Sequence, residues 1–241
     1  TLVSVMAVNN EIGSIQPIQA ISELLADKPT ISFHVDAVQA LAKIPTEKYL
    51  TERVDFATFS SHKFHGVRGV GFVYIKSGKK ITPLLTGGGQ ERDYRSTTEN
   101  VAGIAATAKA LRLAMEKLDI FTSKTGQMKS VIRQALLDYP DIFVFSDEKG
   151  FAPHILTFGI KGVRGEVIVH AFEDYDIFIS TTSACSSKAG KPAGTLIAMG
   201  VDKDKAQSAV RLSLDLENDM SQVEQFLTKL KLIYNQTRKV R

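Results

Sequence analysis

Phe59-Ser60-Ser61-His62-Lys63-Phe64-His65-Gly66 closes a β-rich run at residues 54–59 and sets one lysine among hydroxyls, imidazoles and a glycine. A strand that ends in such residues is typical of an open α/β sheet, whose functional side chains gather beyond the carboxyl ends of the strands. Its chemistry reads two ways. A strand-to-loop junction with a solvated lysine accounts for the pattern, and so does a reachable amine that forms a Schiff base beside phosphate donors such as Ser60, Ser61 and His62.

Working outward, apolar runs at residues 2–8, 31–35, 54–59 and 70–75 alternate with short helical or turn segments, the clearest helix at residues 18–26. Alternating strands and helices predict a largely parallel sheet. Three of these runs end in polar residues: Asn9-Asn10-Glu11, Asp36 with Gln39, and Ser60 to Lys63. Gly87-Gly88-Gly89 leads through Gln90 to Ser96 into an alanine-rich helix at about residues 101–117. From about residue 118 the texture changes. Helices are expected near 128–137 and 166–172, strands at 154–158 and 177–180, and an amphipathic helix at 221–234 with Val223, Phe226, Leu227, Leu230 and Ile233 on one face. The predicted organisation is a first domain at 1–118 and a second, α+β domain at 119–241.

At 241 residues and 44% apolar content the chain has enough material for a real core, in one large domain or two smaller ones. Its 30 basic and 26 acidic residues are interspersed, so the net charge of +4 forms no basic block and no nucleic-acid surface is expected. No apolar run approaches a membrane span and no secretion signal opens the chain, which makes a cytoplasmic location the default expectation. The first residues enter a strand directly, as in a chain that starts in mid-fold. A single cysteine, Cys185, excludes an internal disulfide and a multi-cysteine metal site, and no metal is expected. Its surroundings, Thr181 to Pro192, are polar and small and read as a mobile loop in which Lys188 and Lys191 favour the thiolate. Asp36, ending an apolar strand, is expected to need a cationic or strongly donating partner; the alternative is a helix N-cap.

Five segments occur in the order found in one family: Val8-Asn9-Asn10-Glu11-Ile12-Gly13, His34-Val35-Asp36-Ala37-Val38-Gln39, Ser60-Ser61-His62-Lys63, Gly87-Gly88-Gly89-Gln90-Glu91-Arg92 and Ser183-Ala184-Cys185-Ser186-Ser187. With them the chain resembles the NifS-like cysteine desulfurases of the class V aminotransferases, from Leu2 to the C-terminus. The resemblance implies an α/β fold: an incomplete large domain of pyridoxal phosphate fold type I with a mostly parallel sheet, followed by a small C-terminal α+β domain. It implies pyridoxal 5'-phosphate as cofactor, joined to Lys63, with Asp36 on the pyridine nitrogen and Gln39 on the phenolic oxygen. By the same resemblance Asn10 would lie near that oxygen and the substrate. Likewise Ser60 and His62 would bind the phosphate, and Thr98 would serve the phosphate site of a partner subunit, which implies a homodimer.

The same resemblance gives Arg211 the substrate carboxylate, although Asp215-Leu216 follow where the family continues with glycine and a second arginine. Cys185 would then take sulfur from L-cysteine as a persulfide, leaving L-alanine, and deliver it to a sulfur-acceptor protein. The length of its loop resembles the subgroup tied to iron–sulfur cluster assembly. His62 and His65 are alternatives to Lys63 for proton transfer. A glycine- and threonine-containing phosphate loop and a ring-stacking histidine, which the family carries upstream, have no counterpart here, and neither His34 nor His154 replaces the latter. The comparison therefore predicts an N-terminally truncated chain, associated through uncovered apolar surface and without bound cofactor. A selenocysteine lyase or aminotransferase of the same fold and a non-catalytic scaffold are the other readings.

Overall fold

The computed structural model describes residues 1–182 and 193–239. They divide into two compact units, Thr1–Ala7 with Gln16–Leu118, and Val8–Ile15 with Asp119–Arg241.

The first unit is built on a four-stranded sheet in the order β1 (Leu2–Met6), β2 (Ser32–Asp36), β3 (Phe56–Ser60), β4 (Gly71–Ile75). The pairs β1–β2 and β2–β3 are parallel and β3–β4 is antiparallel. The run at 31–35 is shifted by one residue, so that Asp36 itself ends β2. In β2 and β3 alternate residues are buried, Phe33, Val35, Ala57 and Phe59 among them, and Ile18 of α1 (Ile18–Leu24) is buried too. Period-two burial of this kind follows from side chains that alternate across a strand. Asp55, the residue before β3, is an ionic node. It accepts from the Phe33 amide at 2.9 Å and from Arg53 Nη1 at 2.8 Å, and Lys79 Nζ lies 3.2 Å away. Burial raises its pKa, but those donors and cations outweigh it and hold the carboxyl below its usual value.

Between Gly87 and α2 (Val101–Met115) the chain makes a left-handed turn in which Glu91, Arg92 and Asp93 have φ of 50°, 56° and 67°. Such values are ordinary for glycine and strained for these three residues. Asn100 caps α2 by accepting from the Gly103 amide at 3.0 Å.

The second unit carries an antiparallel sheet in the order β5 (Ile142–Val144), β6 (Ile155–Ile160), β8 (Ala209–Ser213), β7 (Ser180–Thr181). Every residue of β6 is buried, as befits an inner strand covered on both faces. Its core joins α3 (Leu118–Leu137), α4 (Gly165–Glu173) and α7 (Met220–Lys239), with the Phe172 and Phe226 rings stacked at 4.9 Å. A smaller cluster sets Ile12 against Ala193, Leu196, Ala206 and Ala209, which come from or flank α5 (Gly194–Ala198), α6 (Lys203–Gln207) and β8. The strand expected at 177–180 is only Ser180–Thr181, and the helix expected at 128–137 begins ten residues earlier. Residues 8–15, read from sequence as the end of the first strand and its loop, belong to this second unit.

Candidate active site

In the first unit the lysine turn is anchored at both ends. Ser61 is fully buried, and its hydroxyl shares a 2.9 Å hydrogen bond with Thr107 of α2. Its amide donates to the Val70 carbonyl at 3.0 Å. Phe64 is buried as well, so the single 3-10 turn Ser61–Phe64 is pinned on either side of the half-buried Lys63, while His62 is exposed. His65 closes the turn at φ 65°, and the Gly66 amide donates to the Ser61 carbonyl at 3.0 Å. A Cβ at Gly66 would collide with Ser61 Oγ, which explains why glycine stands there. Ser61, expected among the phosphate donors, is thus a structural residue. Ser60 ends β3, half-buried.

Asp36 lies opposite Thr58 in the parallel register, so β2 and β3 bring Asp36, Ser60 and Lys63 to one end of the sheet. The expectation that Asp36 sits in apolar surroundings is not met. It is exposed, and its Oδ1 accepts from the Val38 amide at 3.0 Å, because the strand ends at that residue. The argument from desolvation therefore lapses, while the carboxylate's location at the strand end stands. Gln39 follows, half-buried, in a turn closed by the Ala40 and Leu41 amides on the Ala37 carbonyl. Thr98 is exposed in the segment before α2. His34 is tied on both sides, to Ser4 Oγ at 2.7 Å and Thr58 Oγ1 at 3.1 Å.

The second unit holds Asn10 and Arg211. Arg211, half-buried in β8, donates through Nη1 to the Asn10 carbonyl at 2.8 Å. The turn around Asn10 is tightly made. Asn9 Oδ1 accepts from the Glu11 and Ile12 amides at 2.8 and 3.0 Å, Thr157 Oγ1 donates to the Glu11 carbonyl at 2.6 Å, and Ser146 Oγ donates to the Ile12 carbonyl at 2.6 Å. Ala152 donates to the Gly13 carbonyl at 2.7 Å, and Lys129 Nζ holds the Ala152 carbonyl at 2.8 Å. Burial, reinforced by Arg133, lowers the Lys129 pKa to about 8 against the opposing pull of Asp147 and Glu148. His154 is buried against the Phe121 ring. Cys185, Lys188 and Lys191 lie outside the described residues.

Sequence reasoning missed Asn9, Glu11 and Thr157 as supports of this turn. Only Asn9 and Glu11 carried a signal, as polar residues flanking Asn10. Among the described residues no group of three or more histidines, cysteines or carboxylates is placed to hold a metal ion.

Residues 1–226 match the aminotransferase class-V family. The chain belongs to that family. This member of the class-V family is 51% identical over 241 residues to a NifS/IcsS protein homolog of Lactobacillus delbrueckii subsp. bulgaricus, covering all of this chain and 63% of that protein. It is 38% identical over 242 residues to a protein named cysteine desulfurase IscS of Clostridium botulinum, covering 99% and 60%. A solved NifS-like protein, 37% identical, superposes with a TM-score of 0.87 over 97% of this chain and 61% of the other. At 20% identity, the apo structure of a cysteine desulfurase from Thermococcus onnurineus NA1 shares the fold with a TM-score of 0.82. The chain spans about 60% of the length of the curated relatives it matches.

Class-V aminotransferases depend on pyridoxal 5'-phosphate, and the first unit's donor set fits that group. An amine on an anchored turn, a carboxylate at the adjoining strand end, and hydroxyl and imidazole donors beside the amine are the functions it needs.

Proposed function

We propose that this member of the class-V aminotransferase family is a cysteine desulfurase, carried by one observation: Lys63 sits on a pinned turn past β3 while the parallel neighbour β2 ends in Asp36. Lys63 would hold pyridoxal 5'-phosphate, Asp36 would face its pyridine nitrogen, Gln39 its phenolic oxygen, and Ser60 and His62 its phosphate. When bound, the cofactor supplies an electron sink for the carbanion at the substrate's α-carbon. The remaining work belongs to the chain.

Arg211, its guanidinium oriented by the Asn10 carbonyl, receives the carboxylate of L-cysteine, a task suited to a planar donor. The Lys63 amine takes the α-proton. The Cys185 thiolate forms an S–S bond to the substrate sulfur as the substrate's C–S bond breaks, and a proton delivered to the former β-carbon completes L-alanine. The net change, one thiol and cysteine to one persulfide and alanine, balances without an oxidant. An acceptor protein then takes the sulfur for iron–sulfur cluster assembly or another sulfur-transfer route.

A homodimer and a cytoplasmic location belong to the same proposal. Thr98 and the exposed Phe72, Val73, Tyr74 and Leu84 of the first unit support association. No helix among the described residues is long and apolar enough to cross a membrane.

Incubation with pyridoxal 5'-phosphate followed by borohydride reduction and peptide mass spectrometry tests the assignment. A reduced adduct on Lys63 is expected, and a separate unreduced sample, given cysteine and then alkylated, should carry a persulfide on Cys185. In the Cys185→Ala variant the Lys63 adduct persists and the persulfide is lost. An adduct confined to other lysines contradicts the proposal.

A further inference from the structure

Nothing in the proposed desulfurase chemistry uses Glu11. Its side-chain Oε2 accepts from the Thr195 amide at 3.0 Å, and Asn9 Nδ2 donates to Thr195 Oγ1 at 3.3 Å. Thr195 belongs to the first turn of α5, the element that follows the segment carrying Cys185 in sequence. A second, independent contact joins the same parts. Ile12 packs in one apolar cluster with Ala193 and Leu196, all three at most 2% exposed. The same short turn therefore holds α5 by hydrogen bonds on one side of Glu11 and by apolar packing on the other.

The opposite end of this connection is Arg211. Its Nη1 donates to the carbonyl of Asn10, the residue before Glu11. The Glu11 carbonyl is fixed in turn by Thr157 Oγ1 on β6, whose register partner on β8 is Arg211. Residues 9–12 thus contact the proposed carboxylate-binding arginine, the strand beside it and the start of α5. Moving any one of these shifts backbone that the others share.

We propose, resting on the desulfurase reading, that Glu11 is a positioning residue that ties the carboxylate-binding Arg211 to the root of the Cys185 segment. It touches neither substrate nor sulfur. It sets where the chain carrying the thiol is anchored relative to the guanidinium that receives the substrate's carboxylate. A misplacement of about 1 Å in such an arrangement costs on the order of 100-fold in rate. A glutamine at position 11 keeps an acceptor oxygen for the Thr195 amide, whereas alanine removes it.

The sole cysteine allows a test that needs no cofactor. Iodoacetate carries a carboxylate and iodoacetamide does not, and each alkylates a thiolate as sulfur displaces iodide. Where Arg211 gathers the carboxylate within reach of the thiol, the ratio of the two rate constants is raised. The full chain, Glu11→Ala, Glu11→Gln and Arg211→Ala are compared, with amide hydrogen exchange at Thr195 and Leu196 read in parallel. Expected are a ratio about 10-fold lower in Glu11→Ala than in the parent, a near-parent ratio in Glu11→Gln, and faster exchange at Thr195 in Glu11→Ala alone. A Glu11→Ala ratio equal to the parent's overturns the inference, as does unchanged exchange at Thr195. A parent ratio indifferent to Arg211→Ala counts against Arg211, and so against the desulfurase site. Exchange then judges the anchoring by itself.

Discussion

Glycine at position 13 is demanded by its surroundings and by its backbone. Its φ is +80°, and a Cβ there would lie 2.9 Å from Ile155 Cβ and 3.1 Å from Ile155 Cγ2. Ile155 opens β6 and is nearly fully buried, so it has little room to retreat. Gly13→Ala combines a left-handed penalty with overpacking, and a loss of about 2–4 kcal/mol is expected. The midpoint of denaturant unfolding, followed by a probe in the second unit, measures it. A change under about 0.5 kcal/mol contradicts the reading. Lys63 shows the complementary case, in which the lysine itself is half-buried and its neighbours Ser61 and Phe64 do the anchoring. This division of labour was not legible in a row of hydroxyls and imidazoles, since Ser60 and Ser61 look alike until Thr107 takes one of them.

At the scale of elements, the three-residue left-handed turn Glu91–Asp93 stands out. Arg92, at φ 56° and ψ 43°, is exposed, which makes it a clean place to release strain. Arg92→Gly is expected to stabilise the protein by about 1 kcal/mol, the left-handed penalty removed less the extra entropy that glycine loses on folding. A lower thermal midpoint in the variant would contradict this. Long, periodic elements were readable in advance: the parallel strands up to β3, α2, α4 and α7 lie within a few residues of where spacing puts them. The three-residue β5 and five-residue α5 and α6 were not, because such short elements complete too little of a period to leave a pattern. Asp36 was placed correctly at a strand end, but its exposure depends on where β2 stops, a boundary that apolar content does not mark.

For the molecule as a whole, two buried charges give the two units different responses to pH. Asp55, held below its ordinary value, binds a proton more readily when unfolded. Its contribution is therefore present above about 3.8 and is lost as pH falls through the lower folded value. Lys129 acts in the other direction. Folded, it gives up its proton near 8, whereas an unfolded lysine keeps it to 10.5, so this residue's contribution rises with pH between those values. Urea midpoints of the parent and Lys129→Met, measured from pH 7 to 10.5 with a probe in the second unit, should differ by that rise, present in the parent and absent in the variant. Parallel curves would refute it. The segment Val8–Ile15 was the least legible part of the chain, since an apolar Val8 after an apolar strand gives no sign of which unit buries it. Its placement also has a consequence in time. Asn10 and Arg211 are separated by 201 positions, and at roughly 5–20 residues per second about 10–40 s of synthesis pass between them. Through that interval the turn that seats α5 has left the ribosome while Thr195 and Arg211 are still to come, so its two farthest contacts close only after most of the chain has been made.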